Sequence, residues 1–355
     1  MTIAPSGTRS AGRSQAPVFV VGCPRSGTTL LYHMLLSAGR FAQYRAETHI
    51  YCSLAPRFGG LRTEKDVEQA LEVWLASDCH RLTGLGADVV RGVVRQQTRN
   101  AGDFLRLIMD QMVQQQGAQR WAETTPAHVL HLREIHAHIP DALFLHVIRD
   151  GRDVATSLER QSWIRPFSAD RSRPVLAAAA YWDWLVRRGR AEGAAVGAAY
   201  REVRYEQLIS DPEATLRSIE SFIDHRLDWH EIQRAGIGSV GRPNSSFPEA
   251  QGGFQSRWRT QLSSVDADAV SQMLAPTLRA LGYPDIAGAA APSIALRRVA
   301  YGARFGVRDR LKRFTPVGRR VTDLSHYTPG TMVINEEKMT GVFGPAASPG
   351  VKIDR

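Results

Sequence analysis

Short apolar runs alternate with helical patterns over most of the chain. Runs rich in β-branched and aromatic residues predict strands at residues 18–21, 121–123, 143–148 and 202–205. Apolar residues spaced three and four apart predict helices at residues 30–38, 66–76, 89–116, 128–138, 153 onward, 175–195, 212–223 and 269–281. Strands that alternate with helices are typical of a mostly parallel sheet covered on both faces. The pattern therefore predicts a three-layer α/β/α fold.

The composition changes near both ends of the chain. Residues 1–16 are polar, without the apolar run of a secretory signal, and predict a disordered leader. Residues 287–292 are rich in Ala, Gly and Pro, as in a linker. We predict one domain over residues 17–285 and an extension over 286–355, which ends in a Gly- and Pro-rich tail. The extension contains a basic amphipathic helix at about 296–314, with one apolar face formed by Leu296, Val299, Ala303, Val307, Leu311 and Phe314.

Charge and cysteine content narrow the function. The 355 residues include 45 Lys or Arg and 35 Asp or Glu, a net charge of +10, which indicates an anionic partner. Only four residues are Lys, and none lies between Lys65 and Lys312, so anion binding there must rely on Arg and backbone N–H groups. Three cysteines without a CxxC pair predict a reducing, cytoplasmic compartment and no zinc site. No run is apolar enough to span a membrane.

The first strand-to-helix turn carries the clearest chemical signal. Residues 18–31 read VFVVGCPRSGTTLL, a buried strand followed by a Gly-bounded loop that opens a helix. Unpaired N–H groups at a helix start bind anions. Gly22 and Gly27 allow close approach of the backbone, Ser26, Thr28 and Thr29 add hydroxyl donors, and Arg25 adds a fixed positive charge. We therefore predict that Arg25, Ser26, Gly27, Thr28 and Thr29 bind the anion. A Walker A loop would place Lys after Gly27. A lysine-free loop favours transfer of a sulfuryl group, which carries less charge than a phosphoryl group.

Two motifs together resemble a known family. Residues 24–31, PRSGTTLL, resemble the 5′-phosphosulfate loop of sulfotransferases that use 3′-phosphoadenosine 5′-phosphosulfate (PAPS), in the Arg form found in tyrosylprotein and many bacterial sulfotransferases. Residues 149–157, RDGRDVATS, are similar to the family's 3′-phosphate motif, with Arg149 and Ser157 at the family's spacing. The resemblance covers residues 17–283. It implies a P-loop-like fold, PAPS as donor, and one nucleotide held by both motifs; without it, Arg149 and Asp153 read as a structural ion-pair corner.

Weaker matches extend this resemblance. Residues 203–208, VRYEQL, resemble a family segment whose Tyr lies near the nucleotide, which makes Tyr205 a cofactor-binding candidate; a core Tyr is the alternative. Residues 244–247 and Arg257 with Arg259 occupy the region of the family's C-terminal 3′-phosphate segment; solvated surface arginines are the alternative.

Two further segments bear on catalysis. Glu47, in an AET context, resembles the catalytic base of the tyrosylprotein enzymes, and His49 is a rival because an ordinary His pKa of ~6.5 suits a base. Thr124 stands where the family's EKTPxH segment has Lys, and Thr125 and His128 follow it. The spacing of His131, His136 and His138 suits solvated helix faces, so we assign no metal.

Other functions stay open at this stage. One is a P-loop NTPase or kinase, with Asp150 as a Mg²⁺ ligand. The other is a non-enzymatic binder of nucleic acid or membrane; no aromatic stacking motif is visible, so nucleic acid is not expected. The 296–314 helix either contacts an anionic membrane or docks on the domain. The sequence does not indicate whether the acceptor hydroxyl belongs to a sugar, a lipid, a phenol or a peptide Tyr. It does not indicate the oligomeric state either.

Overall fold

A parallel sheet forms the centre of the protein. The structure, a computed structural model, describes residues 12–241, 256–284, 288 and 290–328. Its strands are β1 (Val18–Gly22), β2 (Phe41–Ala42), β3 (Arg120–Glu123), β4 (Leu143–Ile148) and β5 (Tyr200–Arg204), in the order β2-β3-β1-β4-β5. Each neighbouring pair is parallel; Val18 lies opposite Leu143 on β4 and Ala122 on β3. The carboxyl ends of these strands therefore share one edge of the sheet.

The helices of the described residues lie on both faces of this sheet. They are α1 (Thr28–Ser37), α2 (Ala55–Arg57), α3 (Glu64–Leu75), α4 (Asp78–Arg81), α5 (Ala87–Gln97), α6 (Ala101–Gln116), α7 (Leu132–His138), α8 (Gly151–Arg160), α9 (Val175–Val196), α10 (Tyr205–Ser210), α11 (Pro212–Ile223), α12 (Trp229–Ala235), α13 (Trp258–Gln261), α14 (Ser264–Ala280), α15 (Pro292–Phe314) and α16 (Pro316–Val321). None of these helices is both long and apolar enough to cross a membrane.

Strand β1 shows how the sheet is covered. Val18 and Val20 are buried with residues of α1 and α11, whereas Phe19 and Val21 are buried with residues of α8 and α9. Alternate side chains of a strand point to opposite faces, so both faces are packed. The predicted three-layer, P-loop-like α/β/α fold is confirmed.

Three local predictions need correction. The single helix predicted over residues 89–116 is wrong: α5 ends at Gln97, and the Asn100 side chain caps α6 by accepting hydrogen bonds from the N–H groups of Gly102 and Asp103 at 2.8 and 3.0 Å. The helix predicted over 128–138 is a 3₁₀ segment, Pro126–Leu130, followed by α7. Tyr205 begins α10 instead of ending a strand. Strand β2, only two residues long, was not predicted.

The first and last described segments contact the sheet domain. Of the leader predicted to be disordered, residues 1–11 lie outside the described part, and Arg13–Gln15 instead forms a 3₁₀ helix held by hydrogen bonds from Arg13 to the carbonyls of Phe222 and Ala198. Helix α15 packs along α9, and its buried residues Ile294 and Tyr301 join the main core. The Gly- and Pro-rich tail beyond residue 328 lies outside the described residues.

Candidate functional site

The loop between β1 and α1 is shaped by two glycines. Gly22 and Gly27 have φ values of 155° and 97°, and Gly27 caps α1. A Cβ on Gly22 would lie 2.5 Å from the carbonyl oxygen of Val147, and one on Gly27 would lie 2.3 Å from Cδ2 of Tyr205. Both positions therefore exclude any side chain. The loop is pressed between β4 and Tyr205, at the carboxyl edge of the sheet, where α/β proteins bind ligands.

The two predicted nucleotide motifs meet at this loop. Arg25 Nε donates a hydrogen bond of 3.0 Å to Ser157 Oγ on α8. Arg149 Nη1 lies 3.4 Å from the Arg25 carbonyl oxygen, and its guanidinium sits 4.5 Å from the centre of the Tyr205 ring. Residues separated by more than 120 positions in the sequence thus surround one small region.

Positive charge is concentrated in that region. Burial, with the charge of Arg149 as a second cause, lowers the pKa of Arg25, and the same two causes lower the pKa of Arg257. Arg257 is held there by Asp153, whose carboxylate accepts hydrogen bonds of 3.0 Å from the N–H groups of Ser256 and Trp258. The Asp153 carboxylate also pairs with Arg149, 3.6 Å from Oδ2 to Nη2, so the ion pair expected as the alternative is present and offsets part of this charge. The three arginines still outnumber this carboxylate, which favours an anion beside them.

Hydroxyl groups of the loop differ in their surroundings. Ser26 is fully buried, and its Oγ has no hydrogen-bond partner among the described residues. Such a hydroxyl is costly unless a ligand satisfies it. Thr28 is buried and Thr29 is exposed at the start of α1. Arg259 is exposed and stacks on Trp258, 4.6 Å from the ring centre, and residues 244–247 lie outside the described part.

The two candidate bases form a pair. Glu47 Oε2 lies 3.2 Å from His49 Nε2, and 37% of the Glu47 side chain is exposed. Burial raises the pKa of Glu47 to about 7, despite the opposing effect of His49. Burial alone would lower the pKa of His49, but its contacts with Cys52 and Glu47 reverse the direction and raise it. A carboxylate with a pKa near neutrality is suited to general-base catalysis.

Glu123, which was not predicted as a site residue, connects this pair to the sheet through hydrogen bonds. It ends β3, is fully buried, and accepts hydrogen bonds from Thr48 Oγ1 at 2.8 Å and from Thr125 Oγ1, while its Oε2 lies 3.0 Å from His128 Nδ1. The backbone N–H of His49 donates to Thr125 Oγ1 at 3.2 Å. Strands β3 and β1 are neighbours in the sheet. The Glu47–His49 pair therefore lies on the same sheet edge as the loop that contains Arg25. A carboxylate in the last position of a buried strand is the feature of the sequence that indicates Glu123.

Two other sequence candidates have structural partners. Thr124 is buried with its Oγ1 3.4 Å from the Val20 carbonyl, so no cation occupies the position of the family's Lys. Asp150 caps α8 and pairs with Arg152, with 2.7 Å between Oδ2 and Nη2. The carboxylate that a kinase would use to bind Mg²⁺ is therefore already engaged in an ion pair. Within the described ranges, no group of three or more His, Cys, Asp or Glu is arranged to hold a metal ion.

The parallel sheet and its flanking helices define an α/β protein with a P-loop-like fold. Residues 17–231, more than half of the chain, match the sequence model described as the Sulfotransferase family, and the chain belongs to that family.

Named relatives fall in the same family. The chain is 27% identical to protein-tyrosine sulfotransferase A of Caenorhabditis elegans over 293 residues, 76% of this chain and 68% of that protein. It is 26% identical to a protein-tyrosine sulfotransferase of Drosophila melanogaster, over 77% of this chain and 53% of that protein, so it spans about half of that relative. The sulfotransferase domain of the Synechococcus PCC 7002 olefin synthase is 19% identical with a TM-score of 0.45, covering 83% of this chain and 96% of the domain.

Proposed function

We propose that this sulfotransferase uses PAPS as donor and transfers its sulfuryl group to a hydroxyl acceptor. The observation that carries the proposal is the hydrogen bond between Arg25 and Ser157, which joins the two nucleotide motifs into one site. A nucleotide with phosphates on both the 3′ and 5′ positions presents two anionic ends, and this site offers two sets of cationic and hydroxyl donors within one region.

On the donor side, the loop would hold the 5′-phosphosulfate. Arg25, the Ser26 hydroxyl and the N–H groups at the start of α1 are donors within this one loop, and such donors stabilise charge that develops on the leaving phosphate oxygen. Arg149, Ser157 and Arg257 would hold the 3′-phosphate. The Tyr205 ring, packed on Gly27 and under Arg149, supports both sets.

On the acceptor side, Glu47 is the proposed base. The acceptor oxygen forms a bond to sulfur while the bond from sulfur to the 5′-phosphate oxygen breaks. The acceptor proton passes to the Glu47 carboxylate, and 3′,5′-ADP leaves. His49, 3.2 Å from Glu47, orients the carboxylate and shares the proton.

The acceptor to test first is the hydroxyl of a protein tyrosine. The support is that two relatives are named protein-tyrosine sulfotransferases. Phenols, sugars and lipids are the other hydroxyl classes. We also propose a reducing, cytoplasmic location, supported by the free thiols of Cys23, Cys52 and Cys79.

Calorimetry with two ligands tests the donor. We expect 3′,5′-ADP to bind without metal and Mg·ATP to bind weakly, because the site lacks the Walker A lysine and Asp150 is paired. Tight binding of Mg·ATP alone would instead identify a kinase or NTPase. Incubation with radiolabelled PAPS and a tyrosine peptide, 4-nitrophenol, glucose or a glycolipid then identifies the acceptor class by the labelled product.

We further propose that α15 contacts an anionic membrane. The face predicted to be apolar points away from the domain: Leu296 is 69% exposed, Val307 56% and Phe314 78%. The helix docks through its other side, where Tyr301 donates a hydrogen bond to Asp170 and Arg298 pairs with Asp183. Residues 292–321 contain nine Lys or Arg and one Asp, which complements anionic lipid headgroups rather than a second copy of this basic chain.

Vesicle co-sedimentation of the full chain tests this contact. We expect the protein to sediment with phosphatidylserine-containing vesicles, and the combined change Leu296→Ser, Val307→Ser and Phe314→Ser to abolish it. Val265→Ser, an equally exposed residue on α14, is the matched control and should sediment like the wild type. The proposal would be overturned if the wild type, the triple variant and the control sedimented equally. It would also be overturned if light scattering showed that the protein associates with itself through the exposed apolar face of α15.

A further inference from the structure

The C-terminal extension contacts the segment that carries the candidate bases. We define the base segment as residues 47–52. The Lys312 ammonium donates to the Cys52 carbonyl oxygen, and the Tyr327 hydroxyl donates to the Thr48 carbonyl oxygen at 2.6 Å. The His326 ring stacks on the His49 ring, with centres 3.7 Å apart and planes inclined by 11°. All three contacting residues lie outside the part of the chain that matches the family.

These contacts hold a strained residue. His49 has a φ of 49°, in the left-handed region, where a residue with a large side chain is uncommon and needs support from its surroundings. Tyr327 is buried and fixes the preceding peptide through Thr48. The extension therefore stabilises both the backbone at residues 48–49 and the imidazole that follows.

The imidazole of His49 is enclosed from several directions. Its Nε2 faces Glu47 at 3.2 Å, its Nδ1 faces Cys52 Sγ at 3.6 Å, and the His326 ring covers one face. The packed ring of His326 adds to these two polar contacts by restraining rotation of the His49 ring away from Glu47 and Cys52. Without that ring, the direction of the Glu47 carboxylate would no longer be fixed by its partner.

We propose that His326 is a positioning residue of the active site, which holds His49 against Glu47 and so orients the base toward the acceptor hydroxyl. The proposal rests on the proposed function. It makes residues 312–327 a part of the catalytic unit and not a separate module.

The charged and titratable groups around this stack determine which property of His326 matters. His49 is faced by Glu47, Cys52 and His128 from the sheet side, and His326 is faced by Asp323 and Lys312 of the extension. Burial, followed by the charge of His49, lowers the pKa of His326. His326 is therefore neutral at pH 7 and acts through its ring. An uncharged aromatic residue should replace it.

The reactivity of Cys52 offers a measurement that needs no acceptor. Cys52 is partly exposed, whereas Cys23 and Cys79 are buried. Burial alone would raise the pKa of the Cys52 thiol, but hydrogen bonds from His128 and His49 outweigh burial and hold it well below the ordinary value. Burial raises the pKa of Cys79 to about 12. Alkylation by iodoacetamide near neutral pH should therefore select Cys52, at a rate proportional to its thiolate fraction.

The experiment compares His326→Ala with His326→Phe in the full chain. We expect His326→Ala to move the pH midpoint of Cys52 alkylation upward, because a His49 ring that is no longer held in place stabilises the thiolate less. His326→Phe should restore the wild-type midpoint. His225→Ala removes another partly buried His, packed 4.6 Å from the Phe41 ring, and should leave Cys52 unchanged. An unchanged pH profile in His326→Ala, or failure of Phe to rescue, would overturn the proposal.

Two companion measurements separate this inference from the proposed function. Binding of 3′,5′-ADP by His326→Ala should match the wild type, which also reports that the variant is folded. With a responsive acceptor, kcat should fall while KM for PAPS stays constant. If Arg25→Ala also keeps full affinity for 3′,5′-ADP, the proposed function fails; if only the His326 variants behave like the wild type, the inference alone fails.

Discussion

Replacing Arg25 by Ala is the sharpest test of the proposed nucleotide site. The change removes the hydrogen bond to Ser157 Oγ and one of the guanidinium groups around Tyr205. A hydrogen bond to a charged group contributes ~1.5–3 kcal/mol. Converted at 1.4 kcal/mol for each factor of ten, this predicts binding of 3′,5′-ADP weaker by about 10- to 150-fold. Loss of a donor that stabilises the leaving oxygen should lower turnover by about 10²–10³.

The same substitution should not destabilise the ligand-free protein. Burial and the charge of Arg149 lower the pKa of Arg25, so the folded protein disfavours its charged form. Removing that charge relieves repulsion, whereas an average substitution costs about 1 kcal/mol of stability. We therefore expect Tm without ligand to be unchanged or higher, and the rise in Tm on adding 3′,5′-ADP to shrink, because that rise depends on affinity.

Arg40→Ala is the matched control for this experiment. Arg40 is also an arginine at positive φ, 63° against 73° for Arg25, but it is exposed and lies at the other end of α1. Calorimetry and thermal unfolding with and without 3′,5′-ADP should show wild-type behaviour for this control. Equal affinity for 3′,5′-ADP in Arg25→Ala and Arg40→Ala would refute the assignment of Arg25 to the nucleotide site.

Two further variants probe the loop and the base. Gly27→Ala should weaken 3′,5′-ADP binding in calorimetry far more than Gly39→Ala, because both glycines have positive φ but only Gly27 meets the Tyr205 ring; equal effects would remove the steric role. Glu47→Gln should lower kcat about 10²–10⁴-fold. Wild-type kcat/KM should rise with pH through about 7, where Glu47 ionises, and the variant should lose this rise. The folded pKa lies above the ordinary 4.5, so the wild type loses stability as pH rises from 4.5 past 7; this variant should not.

Local features of the sequence determined the elements that were predicted correctly. The strand at residues 143–148 and the helix at 212–223 coincide with β4 and α11, since a continuous apolar run and a Pro-initiated helical period are local properties. The break between α5 and α6 is also marked locally, because Asn100 and Asp103 have the spacing of a helix cap. The prediction of a single helix gave more weight to the apolar period than to this cap.

Packing between distant segments could not be read in the same way. The apolar face predicted for residues 296–314 is real, but α15 is apolar on both sides, and ion pairs with Asp170 and Asp183 determine which side docks. The stacking of His326 on His49 joins residues 277 positions apart. No periodicity or spacing encodes such a contact. The loop between β1 and α1 could be predicted because its strand, its glycines and the start of its helix are contiguous in the sequence.

Arginine suits the proposed donor site better than lysine because of the charge density there. Thr124 turns its hydroxyl toward the Val20 carbonyl, so the cationic side chains come from the region of Arg25, Arg149 and Arg257. Burial and mutual repulsion lower the pKa of buried bases, and an ammonium loses its proton far more readily than a guanidinium under these conditions. Arginine therefore stays charged in the ligand-free protein. A site that collects its cations so closely therefore favours arginine over lysine.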